Sequence, residues 1–464
     1  TLLEQFAQKV PGPAHRAALE ACVLVRLTTE SLLCELLAMP EPRELFDWLR
    51  GLSFIQAGPN GIFPHDLARE AMAADLRWRN PDWYRELHQR ARNYYIAHFQ
   101  QTSGAEQQRV LTDYIFLHRD NPVVRSLFQW QESATAHADA MQESDRAALI
   151  EMVTQCESVA SARLAAHWLA RQPQGVVVFR EPGQPLAGFL HMVALNQATP
   201  DDLETDPAAR AAIAYLQQHA PLRPGEIATY FRFWMARDTY QNPSPIQSLI
   251  FILIVRHYLT TPKLAFTFIP CAHPEFWAPG FAYGDLPRLN DADFQVGEKT
   301  YGIYGHDWRV RPPMAWLALM AEREVGTGGP THAPATTQPL IVLSQEEFAA
   351  AVRLALRDYA HADTLTTNPL LQSRVVMQKS GWDALTAARI IALQALIKEA
   401  AESLQATPKS AKLYRAIYHT YLRPAPSQEQ AAEILDVPFS TFRRHLKDGI
   451  DHIAEHLWQK EIGG

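Results

Sequence analysis

Five groups of residues carry side chains able to bind or react. Near the C-terminus, Thr441, Arg443, Arg444, His445 and Lys447 crowd the start of an apolar-striped segment. Such a mixture suits phosphates and base edges. In the middle of the chain, Gln241, Asn242, Ser244 and Gln247 are polar side chains at the start of the apolar stretch 245–259. Later, Tyr301, Tyr304, His306 and Asp307 cluster, and of these Tyr304 and His306 are the candidates for proton transfer. His65 and Asp66 follow a hairpin signal; they either contact a ligand phosphate or simply start a helix whose dipole Asp66 offsets. Cys271 and His273 lack a third partner and read as ordinary core or surface residues rather than a nucleophile–base or metal pair.

The whole-chain balance narrows what these groups do. The 464 residues carry 43 basic and 50 acidic side chains, a net −7, so any nucleic-acid contact must come from a local patch. Cys22, Cys34, Cys156 and Cys271 lie far apart with no C-x-x-C pair, which argues against a disulfide framework and a cysteine-rich zinc site and fits a reducing, cytoplasmic setting. The longest apolar run, Leu249–Val255, is far short of the ~20 residues that span a bilayer, so no membrane partner is expected. The chain opens on Thr1 without a signal-peptide pattern and is read as a fragment or processed product.

The elements that must position these residues read as follows. Apolar spacing gives helices over 14–25, 29–37 (with a Thr28-Thr29 start that supplies an N-cap) and 43–52, followed by a hairpin around Gly58-Pro59-Asn60-Gly61, where Asn-Gly is the turn signal. Residues 81–130 form a helical connector. From 131 to 325 helices and strands interleave: helices 145–156 and 161–171, a strand pair at 176–179 and 186–193, a helix at 206–219, a strand at 226–236, a buried helix at 245–259 and a strand at 264–269. Residues 326–340 are a linker by composition, and 341–464 are helical. Within them Ser427, with Gln430 three residues on, starts a short helix as a capping box, Asp436-Val437-Pro438 breaks it, and Ser440–Leu457 resumes with Phe442, Leu446, Ile450, Ile453 and Leu457 on one face. The expected fold class is thus α/β plus all-α: a helical first module over 1–80, the connector, a mixed α/β domain and a helical tail.

Three resemblances follow from these residues. The string Ala431-Ala432-Glu433-Ile434-Leu435 with Ser440-Thr441-Phe442-Arg443-Arg444-His445-Leu446 resembles the helix-turn-helix of sigma-factor region 4 and of LuxR-type regulators, with Asp436 at the usual turn glycine; it implies DNA binding over 427–457. Residues 18–37, 44–50, Phe54 and His65-Asp66-Leu67 resemble the winged helix of STAND-type signalling ATPases (the NACHT, NB-ARC and MalT-like group). In that family the His of a Met-His-Asp motif contacts nucleotide phosphate; His65 and Asp66 match its last two positions, and Pro64 replaces Met. No G-x-x-x-x-G-K-[ST] loop exists here, the nearest string being Gly297-Glu298-Lys299-Thr300. The resemblance therefore implies that ADP or ATP acts only through a nucleotide-binding ATPase domain N-terminal to this chain or in trans.

The middle domain resembles GNAT acetyltransferases in the order of its elements, with Gly183–Leu190 as a hairpin and 226–236 as the central strand. That family holds the acyl-CoA diphosphate on the amides of an [RQ]-x-x-G-x-[GA] loop. Here the loop has no glycine, and Pro243 and Pro245 have no N–H to give. The expectation is a degenerate, ligand-sensing domain in a transcriptional regulator. The alternatives are an acetyltransferase using acyl-CoA through Gln241, Asn242, Ser244 and Gln247, or a protein-interaction scaffold.

Overall fold

The structure is a computed structural model and describes residues 10–130, 136–181, 184–326, 340–381, 384–407 and 410–462. It is mixed α/β with a large helical share. Among the described residues the chain divides into two compact units. The first comprises 10–211, 229–306 and 311–326; the second comprises 212–228, 307–310 and the residues from 340 onward.

The first unit opens with three helices, α1 (Pro13–Leu24), α2 (Glu30–Leu37) and α3 (Arg43–Arg50), then strands β1 (Ile55–Gly58) and β2 (Gly61–Pro64). Thr29 caps α2 by accepting from the Leu32 amide at 3.2 Å, as its sequence position suggests. The hairpin differs in one detail from the sequence reading. Gly58 pairs with Gly61, so Pro59-Asn60 forms the loop and Gly61 opens the second strand. Gly61 has φ +144°, and a Cβ there would sit 2.7 Å from the Thr28 carbonyl, so only glycine fits.

Next comes α4 (Asp66–Arg79), and then α5 (Pro81–Gln101), α6 (Gly104–Phe116) and α7 (Pro122–Leu127), where the sequence offered one helical stretch over 81–130. The Thr102–Ser103 junction and the turn at 117–121 divide it. Two buried arginines bind this part to the first module. Arg119 donates to the carbonyls of Val23 and Leu24 at 3.0 and 2.7 Å, and Arg69 donates to those of Val25 and Arg26. The open carbonyls in the last turn of α1 and just after it are thus met by charged donors, which make the stronger hydrogen bonds.

The rest of the first unit is built on a seven-stranded sheet of order β3-β4-β5-β6-β7-β9-β8. Its strands are β3 (His137–Ala140), β4 (Val176–Glu181), β5 (Gln184–Ala194), β6 (Ile227–Ala236), β7 (Leu264–Cys271), β8 (Phe294–Val296) and β9 (Lys299–Asp307). Helices α8 (Arg146–Cys156) and α9 (Val159–Arg171) separate β3 from β4. α10 (Pro200–Thr205) and α11 (Pro207–His219) follow β5, and α12 (Pro245–Thr260) joins β6 to β7. α13 (Pro274–Tyr283) follows β7, and α14 (Pro313–Val325) follows β9. The strands read from the sequence are present; β3, β8 and β9 are additional. β6 and β7 are buried almost end to end, which explains their unbroken apolar runs.

Pairing between β5 and β6 slips by one residue: His191 faces Phe233, and Met192 faces Phe231. Arg232 is the extra residue. Its guanidinium donates to Asp206 at 2.8 and 3.2 Å, and the Trp168 indole donates to the same carboxylate at 2.8 Å. A bulge that re-aims one side chain thus forms a fully buried ion pair. The string Gly297-Glu298-Lys299-Thr300 is the β8–β9 hairpin, with Gly297 at φ +61° in its two-residue turn.

In the second unit, α15 (Gln345–Arg357), α16 (Ala362–Leu365), α17 (Arg374–Ser380), α18 (Thr386–Ser403), α19 (Ala411–Ile417), α20 (Gln428–Ile434) and α21 (Phe439–Ile462) share one apolar core. Val352, Leu393, Ile397, Phe442 and Leu457 lie at its centre. Ser344 starts α15 with a reciprocal capping box to Glu347. Apolar spacing predicts a helix over 382–406, of which residues 382 and 383 lie outside the described residues.

Candidate functional sites

The C-terminal pair α20–α21 is held by local backbone chemistry. Ser427 accepts from the Gln430 amide at 3.2 Å; the Gln430 side chain makes no return bond, so the cap is single rather than the expected box. At the other end, Asp436 donates its amide to Glu433 and Val437 donates to Ala432, with Asp436 at φ +53°. This bonding pattern ends a helix in a left-handed residue, normally glycine. Aspartate is among the few residues that tolerate the conformation. Asp436 therefore performs the turn that the missing glycine put in question.

The buried face of α21 carries Phe442, Leu446, Gly449, Ile453 and Leu457. Gly449 was not foreseen; Ile450, expected on that face, is only half-buried. A Cβ on Gly449 would come 2.8 Å from Ile417 Cγ1, so α19 and α21 cross at close range. The opposite face carries Arg443, Arg444 and Lys447, all exposed, with Thr441 and His445 half-buried beside them. Among the described residues none of these five makes a hydrogen bond or ion pair through its side chain.

The far end of α21 is pinned. Glu461, 1% exposed, accepts from Arg223 at 3.0 Å and from the Val375 amide at 2.8 Å. The Arg223 guanidinium also lies 4.9 Å over the Trp458 ring, and its backbone amide donates to Glu226. A buried carboxylate with a buried arginine and amide donors fixes a helix more firmly than an exposed pair does.

In the sheet domain the candidate anion loop is occupied by its own contacts. Gln241 is buried; its amide donates to the Pro270 carbonyl and accepts from the Ala272 amide at 2.9 Å. Asn242 is exposed and donates its backbone amide to Thr239. Ser244 caps α12 by accepting from the Gln247 amide at 3.1 Å, and Pro245 has no N–H. The backbone amide of Gln129 donates to Ser248 Oγ at 2.9 Å, and its side chain reaches the Pro243 carbonyl, so chain from the connector borders this turn. Gln247 is fully buried, and its side-chain amide has no partner among the described residues. Enclosure keeps that amide from meeting a diphosphate, and one enclosed water would satisfy it. The donors here do not fit an acyl-CoA diphosphate.

The proton-transfer candidates are similarly engaged. Tyr304 donates to the Pro274 carbonyl at 2.8 Å and stacks on Phe281. His306 places its two ring nitrogens 2.8 and 3.2 Å from the carbonyls of Asp285 and Arg311. Sequence reading missed Glu157, whose carboxylate accepts from both Tyr240 and Tyr301, at 3.0 and 2.9 Å. Burial and that negative charge raise both phenols far above their ordinary range. Separations of 83 and 144 positions along the chain left no local signal for this cluster.

His65 and Asp66 lie exposed at the start of α4; His65 Nε2 comes 3.4 Å from the Gln56 amide, and neither side chain caps the helix. On the same helix Leu67 and Trp78 are 76% and 83% exposed, and Ala71 and Ala74 between them are exposed as well. The spacing i, i+4, i+7, i+11 puts all four on one face. Among the described residues no three His, Cys, Asp or Glu side chains converge to hold a metal, and no helix is long and apolar enough to cross a membrane. No protein-family model matches this chain, and neither does any curated protein.

Proposed function

We propose that this chain is the sensing and output portion of a transcriptional regulator of the STAND type, and that residues 427–457 bind duplex DNA. One observation carries the reading: Arg443, Arg444 and Lys447 stand exposed and unpaired on the first turns of α21, behind a tight turn that Asp436 makes possible. Free guanidinium groups at the start of a second helix are what groove recognition requires. Their local charge acts despite the net −7 of the chain, because phosphate contacts are made within a Debye length of about 10 Å.

The STAND reading of the first module is supported by its sequence of three helices, hairpin and helix, and by the exposure of His65 and Asp66 at the hairpin exit. The apolar stripe from Leu67 to Trp78 is a surface on which an ATPase domain would dock. The acetyltransferase-like reading of the middle is supported by the element order around its seven strands. The self-capped α12 start favours sensing over acyl transfer. In this account nucleotide state, felt near His65, and a small ligand, bound in the middle domain, bias a two-state switch whose output is DNA binding. Fluorescence anisotropy with a labelled duplex tests the output. Arg443→Ala with Arg444→Ala weakens binding at least ten-fold; unchanged affinity refutes the reading.

A further inference from the structure

Within the first unit, α6 and α7 from the connector meet α12, α13 and α14 around an apolar cavity of about 130 Å³. Its size is on the order of the ~150 Å³ apolar cavity that takes up benzene when engineered into a protein core. Aromatic walls surround it: Phe251 lies 5.1 Å from Trp277, Trp277 lies 6.0 Å from Phe281, and Tyr258 lies 5.9 Å from Trp316. These spacings are those at which rings stack or meet edge to face, so another ring entering the space finds ready partners.

A histidine–tyrosine pair interrupts the wall. His118 and Tyr283 both line the cavity, and His118 Nδ1 is 2.9 Å from the Tyr283 hydroxyl. The Tyr283 hydroxyl itself donates to the Met320 carbonyl at 3.5 Å. In the Nδ1–H tautomer the ring donates to the Tyr283 hydroxyl, the hydroxyl proton goes to Met320, and Nε2 keeps its lone pair. Among the described residues Nε2 has no partner. Burial keeps the ring neutral by pushing its pKa down to about 3, so in that tautomer Nε2 is an acceptor at any physiological pH. Among the described residues no Asp, Glu, Lys or Arg lines the space. A charged ligand would have no counter-ion there.

We propose that this cavity binds a neutral small aromatic molecule bearing a single N–H or O–H donor, of the indole or phenol class, with its ring among Phe251, Trp277 and Trp316 and its donor on His118. This names the ligand class for the sensing half of the proposed function and rests on that reading. The test uses no DNA, so its failure counts against the ligand and not against the output. Isothermal calorimetry on the whole chain compares indole with 1-methylindole, which has the same ring system and no donor. Indole gives one saturable site, and 1-methylindole binds at least ten-fold more weakly. Val255→Trp fills the cavity from a half-buried wall position and abolishes indole binding. Ile115→Phe, from the other side, does the same if the first variant fails to fold. His118→Phe removes the preference for indole. The proposal is overturned by no saturable heat up to the solubility of indole, by equal affinity for the two probes, or by binding that survives the filled cavity.

Discussion

Replacing Glu324 by glutamine makes the first unit more stable at alkaline pH, although it removes an ion pair. Glu324 closes α14 with 1% exposure, and among the described residues neither carboxylate oxygen has a hydrogen-bond partner. Arg77 stands 3.8 Å away, too far for a hydrogen bond, with its own side chain 39% exposed. Burial, opposed by Arg77 and reinforced by Asp120, pushes the carboxyl up to about 7 from 4.5. The folded state therefore holds this proton more tightly than the unfolded chain does. The stability it contributes is complete below pH 4.5 and is lost as pH rises through 7. At 1.36 kcal/mol per pH unit, the loss by pH 8 approaches about 3 kcal/mol. Glutamine keeps the volume and carries no charge, and Arg77 stays hydrated. Urea titrations of Glu324→Gln and the parent at pH 5 and pH 8 measure the difference. The variant gains about 2–3 kcal/mol at pH 8 relative to its difference from the parent at pH 5. A pH-independent difference, or a variant less stable at pH 8, would refute the reasoning.

Other expectations follow from single contacts. Asp436→Val forces a β-branched side chain into a left-handed turn and destabilises the second unit by about 1–2 kcal/mol, whereas Asp436→Gly is neutral or stabilising; thermal melts rank the two. Glu461→Ala leaves Arg223 buried without its carboxylate and costs about 3 kcal/mol, read as a lowered urea midpoint; a loss under 1 kcal/mol would mean that water reaches the guanidinium. His88, His191 and His257 are each held down to about 4 by burial, so their folded pKa lies below the unfolded value. Stability in the parent chain consequently falls as pH drops from 6.5 toward 4, and His191→Gln flattens part of that slope in acid titrations.

Periodic elements were legible in the sequence and isolated polar contacts were not. The β6 and β7 runs, the α12 helix and the Thr29 cap announce themselves through local pattern, because propensity and burial act on the same residues. The division of 81–130 into three helices was legible but not read: Ser103-Gly104 and Asn121-Pro122 are turn dipeptides that mark both breaks. β3 escaped because His137-Ala138-Asp139-Ala140 has no apolar stretch; it exists by pairing with β4. The exposed arginines of α21 followed from helical spacing. The pinning of that helix through Arg223 and Glu461, 238 positions apart, did not. Asp436 shows the converse: a residue that weakened a motif by type serves it by backbone conformation.

The salt dependence of duplex binding bears most directly on the proposed output. Each phosphate contact contributes a slope of about −0.9 to the logarithm of affinity against the logarithm of salt concentration. Between 50 and 200 mM salt the parent chain should lose affinity steeply, and Arg443→Ala with Arg444→Ala should flatten the slope by about 2. A parent chain that binds no duplex at 50 mM salt, or a double variant with the parental slope, contradicts the assignment of residues 427–457 to DNA.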